Sequence, residues 1–204
     1  MHAMKGSLFR NVEEKVSFQE LEFAYDMLRL ELYKLYERTQ TRHEAKIVKE
    51  IRKHYSGEIL TSFWIGNRNV DIFIPGVKGE APEVNNADHF WSPRVFKGLA
   101  IEIDGEIHNT EFKMKKDNSK YRQLHKLDIA LLTIENNDIN LEGTRRMISQ
   151  IPTLETLSFR PRKRLLRDVY IITLLSHYKH EQILELFDAE NGNLLNQCRK
   201  VLKG

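Results

Sequence analysis

The chain has 204 residues, of which 41% are hydrophobic and 30% charged, and its formal net charge is +3 at pH 7. This composition is typical of a soluble globular protein and excludes a membrane-spanning one, because no apolar run is long enough to cross a bilayer. The single cysteine, Cys198, excludes an internal disulfide framework, and residues 1–10 lack the apolar core of a secretory signal, so we expect a cytoplasmic protein.

The first segment, residues 1–40, is predicted to be helical from Ser17 to about Arg38. Its apolar side chains recur at alternating steps of four and three residues, the spacing of one helix face. They are Leu21, Tyr25, Leu28, Leu32 and Leu35. Ser17 is a predicted N-cap, with Glu20 as its capping-box partner. We interpret this helix as docked on its own domain, with a dimer contact as the alternative.

A second helix is predicted from about Thr41 to His54, ending at Gly57. Its inward side chains are expected to be Ala45, Val48 and Ile51. Ile59–Ile65 and Asn69–Ile74 then alternate as two antiparallel strands, with Gly66-Asn67 as the turn of a hairpin and Pro75-Gly76 as a stop.

A loop is expected from Pro75 to about Lys97, followed by a strand from Gly98 to Asp104. A lysine-rich helix from about Thr110 to Leu127 leads into Ile129–Ile134, a fully apolar run of strand length. This order of strand, helix and strand predicts a right-handed parallel crossover.

The composition changes sharply at Ser158–Arg164, which we take as a boundary between residues 41–157 and a helical appendage, residues 158–204. A helix around Leu141–Ile151 precedes the boundary, and three short helices follow it. They are predicted at about Lys163–His177, Glu181–Phe187 and Asn193–Leu202. The last two resemble a helix-turn-helix, in which the outward Asn196, Arg199 and Lys200 are of the types that contact bases and phosphates. A plain three-helix appendage is the alternative.

The strand that ends at Asp104 carries two carboxylates in an otherwise apolar run. Glu102 and Asp104 share one face of that strand because side chains alternate. Burying both without a positive partner is costly. If Asp71 of the hairpin points the same way, three acidic side chains surround a point suited to a hard cation, Mg²⁺ or Mn²⁺.

These features resemble the PD-(D/E)xK nuclease superfamily, and most of all its branch of very-short-patch repair endonucleases with a Glu-x-Asp-Gly-x-x-His signature. The resemblance covers about Thr41 to Ile139. It implies a restriction-endonuclease-like α/β core, a mixed sheet flanked by helices. It also implies that Asp71 and Glu102 bind the metal, while Asp104 stands where the family motif has lysine.

That replacement leaves the positive role of the lysine to another group. The candidates are His108 and a lysine of the following helix, Lys116 or Lys120. Glu44 matches an acidic residue that this fold often carries on the helix before the hairpin, where it contacts the metal through water. A strand cap or an ion pair with Arg68 is the alternative for Asp71. A solvated surface acid is the alternative for Glu44, as an idle exposed histidine is for His108.

Two basic clusters are candidates for DNA binding, because phosphate neutralisation dominates such affinity. The first lies on the lysine-rich helix and comprises Lys113, Lys115, Lys116, Lys120, Arg122 and Lys126, and the second includes Arg162, Lys163 and Arg164. A solvated charged face is the alternative for both.

We therefore expect a Mg²⁺-dependent endodeoxyribonuclease that acts in repair, restriction or mobile-element processing. A nuclease-fold DNA-binding subunit, active only in a larger complex with a protein partner or as a homodimer, is one alternative. A catalytically silent or RNA-directed binding protein is the other.

Overall fold

The structure, a computed structural model, describes residues 16–36, 42–80, 90–91, 95–104, 123–135 and 155–178. The helices are α1 (Phe18–Tyr36), α2 (Arg42–Ile51) and α3 (Phe159–His177). The strands are β1 (Leu60–Ile65), β2 (Arg68–Glu80), β3 (Phe90–Trp91), β4 (Val95–Asp104), β5 (Ile129–Glu135) and β6 (Glu155–Thr156).

The strands form a mixed sheet in the order β1-β2-β4-β5-β3, and the short β6 pairs with β2 at Val77 and Lys78. Only β4 and β5 pair in parallel, while the other described pairs are antiparallel. The protein is thus a mixed α/β fold, with helices packed against a mixed sheet. The parallel pairing predicted for the strand, helix and strand unit is confirmed.

The N-terminal helix begins as its sequence predicts. The Ser17 N–H donates to Glu20 Oε2 at 2.7 Å, and the Glu20 N–H donates back to Ser17 Oγ at 3.3 Å, which is a complete capping box. Leu21, Tyr25 and Leu28 are buried against the rest of the chain. The interpretation of this helix as docked on its own domain is confirmed.

The second helix differs from its predicted packing. Ala45 is exposed, so its assignment to the inward face is wrong, whereas Val48 packs against the core and Ile51 is buried in it, as predicted. Ile47, which was not predicted, is fully buried beside Ile51. The inward face follows the spacing of residues 44, 47, 48 and 51, and Ala45 lies to one side of it.

The hairpin of β1 and β2 is confirmed, but the stop predicted at Pro75-Gly76 is wrong. Strand β2 continues to Glu80, with a register shift between Pro75 and Gly79 and a positive φ of 71° at Gly76. Pro75 is tolerated there because on one side of β2 the pairing with β1 ends at Phe73 and that with β6 begins at Val77.

Two hydrophobic clusters cover the two faces of the sheet. On one face, here the α1/α3 face, Phe73, Ala100 and Leu131 pack with α1 and α3. On the other, the α2 face, Ile72, Ile101 and Leu132 pack with α2. The central strands are therefore buried on both sides, which explains their nearly continuous apolar sequences.

The helix at residues 159–177 packs into this core. Its buried side chains include Leu165, Val169 and Tyr170, which share a cluster with α1 and the sheet. The Tyr170 and Tyr25 rings lie 4.6 Å apart, and the Tyr25 and Phe63 rings 5.0 Å apart. The division of the whole chain into three domains stays a prediction.

Several predicted helices fall outside the described residues: Leu141–Ile151, Glu181–Phe187 and Asn193–Leu202. Of the predicted helix Thr110–Leu127, the structure describes only a helical turn at residues 123–126, from which Leu124 and Leu127 pack into the α1/α3 face. Within the described parts of the chain, no helix is long and apolar enough to cross a membrane.

Candidate functional site

The parallel pair β4 and β5 brings polar residues together at one edge of the sheet. Glu102 is in register with Thr133, and Asp104 with Glu135 at the last position of both strands. Ligands of open α/β sheets commonly bind outside the carboxyl ends of parallel strands. This edge, together with Asp71 of β2, is called the carboxylate end below.

Asp71 reaches this edge from the neighbouring strand. The Ile103 N–H donates to Asp71 Oδ2 at 2.8 Å, across from β4 to β2. Backbone pairing of the two strands runs from Glu80 only as far as Ile72, which is opposite Ile101. The Asp71 side chain therefore supplies an acceptor just beyond the ladder, beside the strand segment that carries Glu102 and Asp104.

Strand alternation decides which face of the sheet these groups occupy. Glu102 follows Ala100 by two residues, and Thr133 follows Leu131 by two, so both lie on the α1/α3 face. Ile103 packs on the opposite, α2 face. Glu102, Thr133 and Asp71 are each partly buried. Carboxylate and hydroxyl oxygens at such a position are the donors that Mg²⁺ and Mn²⁺ prefer.

The structure describes the side chains of two of the three predicted metal ligands, Asp71 and Glu102. The side chain of Asp104 is outside the described part of the structure. Among the side chains that are described, no group of three or more histidine, cysteine, aspartate or glutamate residues is arranged to hold a metal. The three-carboxylate site therefore stays a prediction.

Glu44 lies near the start of α2 and is only 6% exposed. The solvated alternative for this residue is therefore wrong. Glutamate is rarely buried to this degree unless it is paired or has a specific role. The next turn of the same helix places Ile47 in the core of the α2 face.

A set of buried hydrogen bonds holds the β1–β2 turn, which directly precedes the end of β2 that carries Asp71. The Gly66 N–H donates to Thr173 Oγ1 at 2.9 Å, and that hydroxyl lies 2.7 Å from the Val169 carbonyl oxygen. His177 Nε2 lies 3.1 Å from the Gly66 carbonyl oxygen. Burial lowers the pKa of His177 below its ordinary value, because it disfavours the charged ring.

Sequence reasoning missed the contributions of Thr133, Glu135, Thr173 and His177 to this part of the molecule. For Thr133 and Glu135 a signal was present, since a parallel strand next to β4 must end at the same edge. For Thr173 and His177 the sequence offers none. They lie more than a hundred positions after Gly66, and only the packing of α3 brings them to the turn.

The described residues of the second predicted basic cluster lie at the start of α3, away from Asp71. Arg162 lies against Gly76, and its Nη1 is 3.8 Å from Glu58 Oε2. Lys163 Nζ lies 4.8 Å from the Phe18 ring centroid, and Arg164 is exposed. Gly76 is five residues from Asp71, about 16 Å along β2 at ~3.3 Å per residue. This region is called the basic end below.

The remaining predicted site residues lie outside the described residues. They are His108, Lys113, Lys115, Lys116, Lys120, Arg122, Asn196, Arg199 and Lys200. The group that takes the place of the family lysine, and the base-reading face of the C-terminal helices, therefore remain predictions.

No family model, curated protein or solved structure matches this chain. The resemblance to PD-(D/E)xK nucleases therefore rests on the motifs in the sequence, and a restriction-endonuclease-like core remains a prediction. The established class is the broader one, an α/β protein with a mixed sheet flanked by helices.

Proposed function

We propose that this protein is a metal-dependent endonuclease that hydrolyses DNA phosphodiester bonds with Mg²⁺ or Mn²⁺. One observation carries the proposal: the hydrogen bond from the Ile103 N–H to Asp71 Oδ2. It joins the carboxylate of β2 to the segment of β4 that contains Glu102 and Asp104. Two strands thus contribute acidic groups to one edge of the sheet, beside the carboxyl end of a parallel strand.

Asp71 and Glu102 are the residues that would hold the cation. The bond from the Ile103 N–H orients the Asp71 carboxylate. Such an orienting contact matters, because groups that fix a ligand commonly change metal affinity or activity by about 10- to 100-fold. A bound divalent cation would polarise a phosphoryl oxygen and lower the pKa of a water molecule.

The other residues have roles that follow from their charges. Asp104 would complete the ligand set or orient water. A neutral His108 is a candidate to accept a proton from water near pH 7. Lys116 or Lys120 would contribute the positive charge that Asp104 cannot. Thr133, in register with Glu102, is a candidate to hydrogen-bond the water or the substrate.

The test compares Glu102→Gln with wild type on supercoiled plasmid DNA, with Mg²⁺, with Mn²⁺ and with a chelator. Wild type is expected to nick or cut the plasmid only with metal, and Glu102→Gln to lose at least about 100-fold of the rate. Glu155→Gln is the matched control, because Glu155 is an exposed carboxylate in an ion pair with Lys78. It should cleave as wild type does.

Cleavage by folded Glu102→Gln at the rate of wild type would eliminate the proposed site. Calorimetry provides a readout that does not depend on cleavage. Mn²⁺ binding that is present in wild type and in Glu155→Gln, and absent from Glu102→Gln, is expected. Equal Mn²⁺ affinity in all three proteins would also count against the proposal.

A further inference from the structure

The first turn of α3 exposes an aromatic ring among positive charges. Phe159 is 64% exposed, more than any other large apolar side chain of the described residues. Arg162 Cζ lies 5.7 Å and Lys163 Nζ 5.6 Å from the centroid of its ring. Two cations therefore lie next to a ring that solvent can reach.

Further positive charge surrounds this ring. Arg160 and Arg164 are both exposed, and the first turn of α3 contains no acidic residue. Glu58, 3.8 Å from Arg162, offsets part of the charge. Cations near the start of a helix oppose its dipole, so helix stability does not account for this concentration of arginine and lysine.

We propose that Phe159, Arg160, Arg162, Lys163 and Arg164, here the aromatic–basic surface, bind an unpaired segment of DNA. A base would stack on the Phe159 ring, while Arg160 and Arg164 contact the flanking phosphates. Aromatic rings beside positive charges are the usual platform for single strands, because every base has a face that can stack. Phosphate neutralisation supplies the rest of the affinity.

The charges favour this occupant over an apolar protein surface. Covering Phe159 with apolar groups would remove water from Arg160 and Arg164 without giving them a negative partner, which is costly. A paired duplex fits less well, because its bases stack on one another and leave no base face free to stack on the Phe159 ring. The ring therefore specifies unpaired bases, and the arginines specify a polyanion.

The surface lies apart from the carboxylate end. Arg162 packs against Gly76, about 16 Å along β2 from Asp71 at ~3.3 Å per residue. It would therefore hold a different part of the DNA from the part that is cut. The inference rests on the proposed function only in taking DNA as the ligand.

The test measures fluorescence anisotropy of labelled oligo-dT and of a labelled duplex, with the full chain and a chelator present so that cleavage is absent. Phe159→Ala is expected to weaken oligo-dT binding by about 5- to 100-fold and to leave duplex binding nearly unchanged. Phe159→Trp should retain oligo-dT affinity. Leu30→Ala, which truncates another exposed apolar side chain, is the matched control and should bind as wild type does.

Arg164→Gln provides a second readout. It should weaken both oligo-dT and duplex, and lower the slope of affinity against salt by about one. The inference is overturned if wild type does not bind oligo-dT, if Phe159→Ala binds it as wild type does, or if Leu30→Ala loses as much affinity.

The same assay separates this inference from the nuclease proposal. Loss of oligo-dT affinity in Phe159→Ala supports the surface, even if no variant cleaves DNA. Conversely, cleavage that depends on Glu102 together with unchanged binding by Phe159→Ala rejects the surface and keeps the nuclease.

Discussion

The carboxylate end and the basic end of β2 are built in different ways. At the carboxylate end, Asp71 accepts a hydrogen bond from β4, and the Gly66 turn that precedes this end of β2 is held by Thr173 of α3. At the basic end, Phe159 and Arg164 are exposed to solvent. The first arrangement suits a site that needs fixed geometry, and the second suits contact with a flexible polyanion.

This difference matches the physical demands of the two proposed roles. Metal ligands and reacting groups must be held close to one geometry by their supporting contacts. Phosphate contacts depend mainly on the number of positive charges within reach, and they tolerate changes in side-chain position. Substitutions at the carboxylate end should therefore alter the reaction or stability, and those at the basic end mainly affinity.

The largest effect is expected for Asp71→Asn. An asparagine oxygen can still accept the Ile103 N–H, so the variant should keep this bond between β4 and β2 and remain folded. Metal-dependent cleavage should fall at least about 100-fold, because the ligand loses its charge. The measurements are initial rates on plasmid DNA and urea denaturation. Unchanged cleavage by Asp71→Asn would remove Asp71 from the metal site.

Alanine substitutions at Gly66 and Gly76, the glycines with positive φ among the described residues, should lower the stability of the protein by different amounts. A Cβ at Gly76 would lie 2.7 Å from Arg162 Cβ, which is attached to the helix backbone, whereas at Gly66 it would meet the movable amide of Gln123. We expect Gly76→Ala to lower the free energy of unfolding by about 2–5 kcal/mol, and Gly66→Ala by about 1–2 kcal/mol. Urea denaturation of both variants measures these losses. A larger loss of unfolding free energy in Gly66→Ala than in Gly76→Ala would contradict the prediction.

A smaller effect is expected for Thr173→Val. Valine has nearly the same shape as threonine, but it leaves the buried Gly66 N–H without its hydroxyl acceptor. The free energy of unfolding should fall by about 1–3 kcal/mol. Thr173→Ser keeps the hydroxyl and should lose less than Thr173→Val. Equal losses in the two variants would show that packing, and not this hydrogen bond, stabilises the turn.

The smallest effect is expected from the titration of His177. Burial lowers its pKa in the folded protein below the ordinary 6.5, so the unfolded chain binds more protons just below that pH. The free energy of unfolding should therefore fall as pH drops from 6.5 toward the lower folded-state pKa. In His177→Gln the free energy of unfolding, measured by urea denaturation, should depend less on pH in that window. If the pH dependence is the same as in wild type, groups other than His177 cause it.

Local patterns predicted the elements whose causes are local. The capping box of Ser17 and Glu20 and the Gly66-Asn67 turn both depend on residues a few positions apart, and both are present. The apolar run at residues 129–134 also gave a correct strand, because a strand buried on both faces has no room for polar residues.

Other features depend on strand pairing and helix packing, which the sequence does not show. Pro75 and Gly76 form a local stop signal, yet β2 passes through them because its neighbouring strands leave a gap there. The basic start of α3 marks a change in composition, but the following residues Leu165 to Leu174 belong to the central core. Position along the chain does not reveal either fact.

For the candidate site the same division holds. The sequence by itself determined which residues are the candidates for a site, because carboxylates in an apolar strand stand out by the cost of burying them. Only the tertiary structure decided their neighbours: Asp71 meets Ile103, Glu102 lies beside Thr133, and the basic start of α3 lies at the other end of β2. Strand register and helix packing join residues that are distant in the chain, and no local pattern records such contacts.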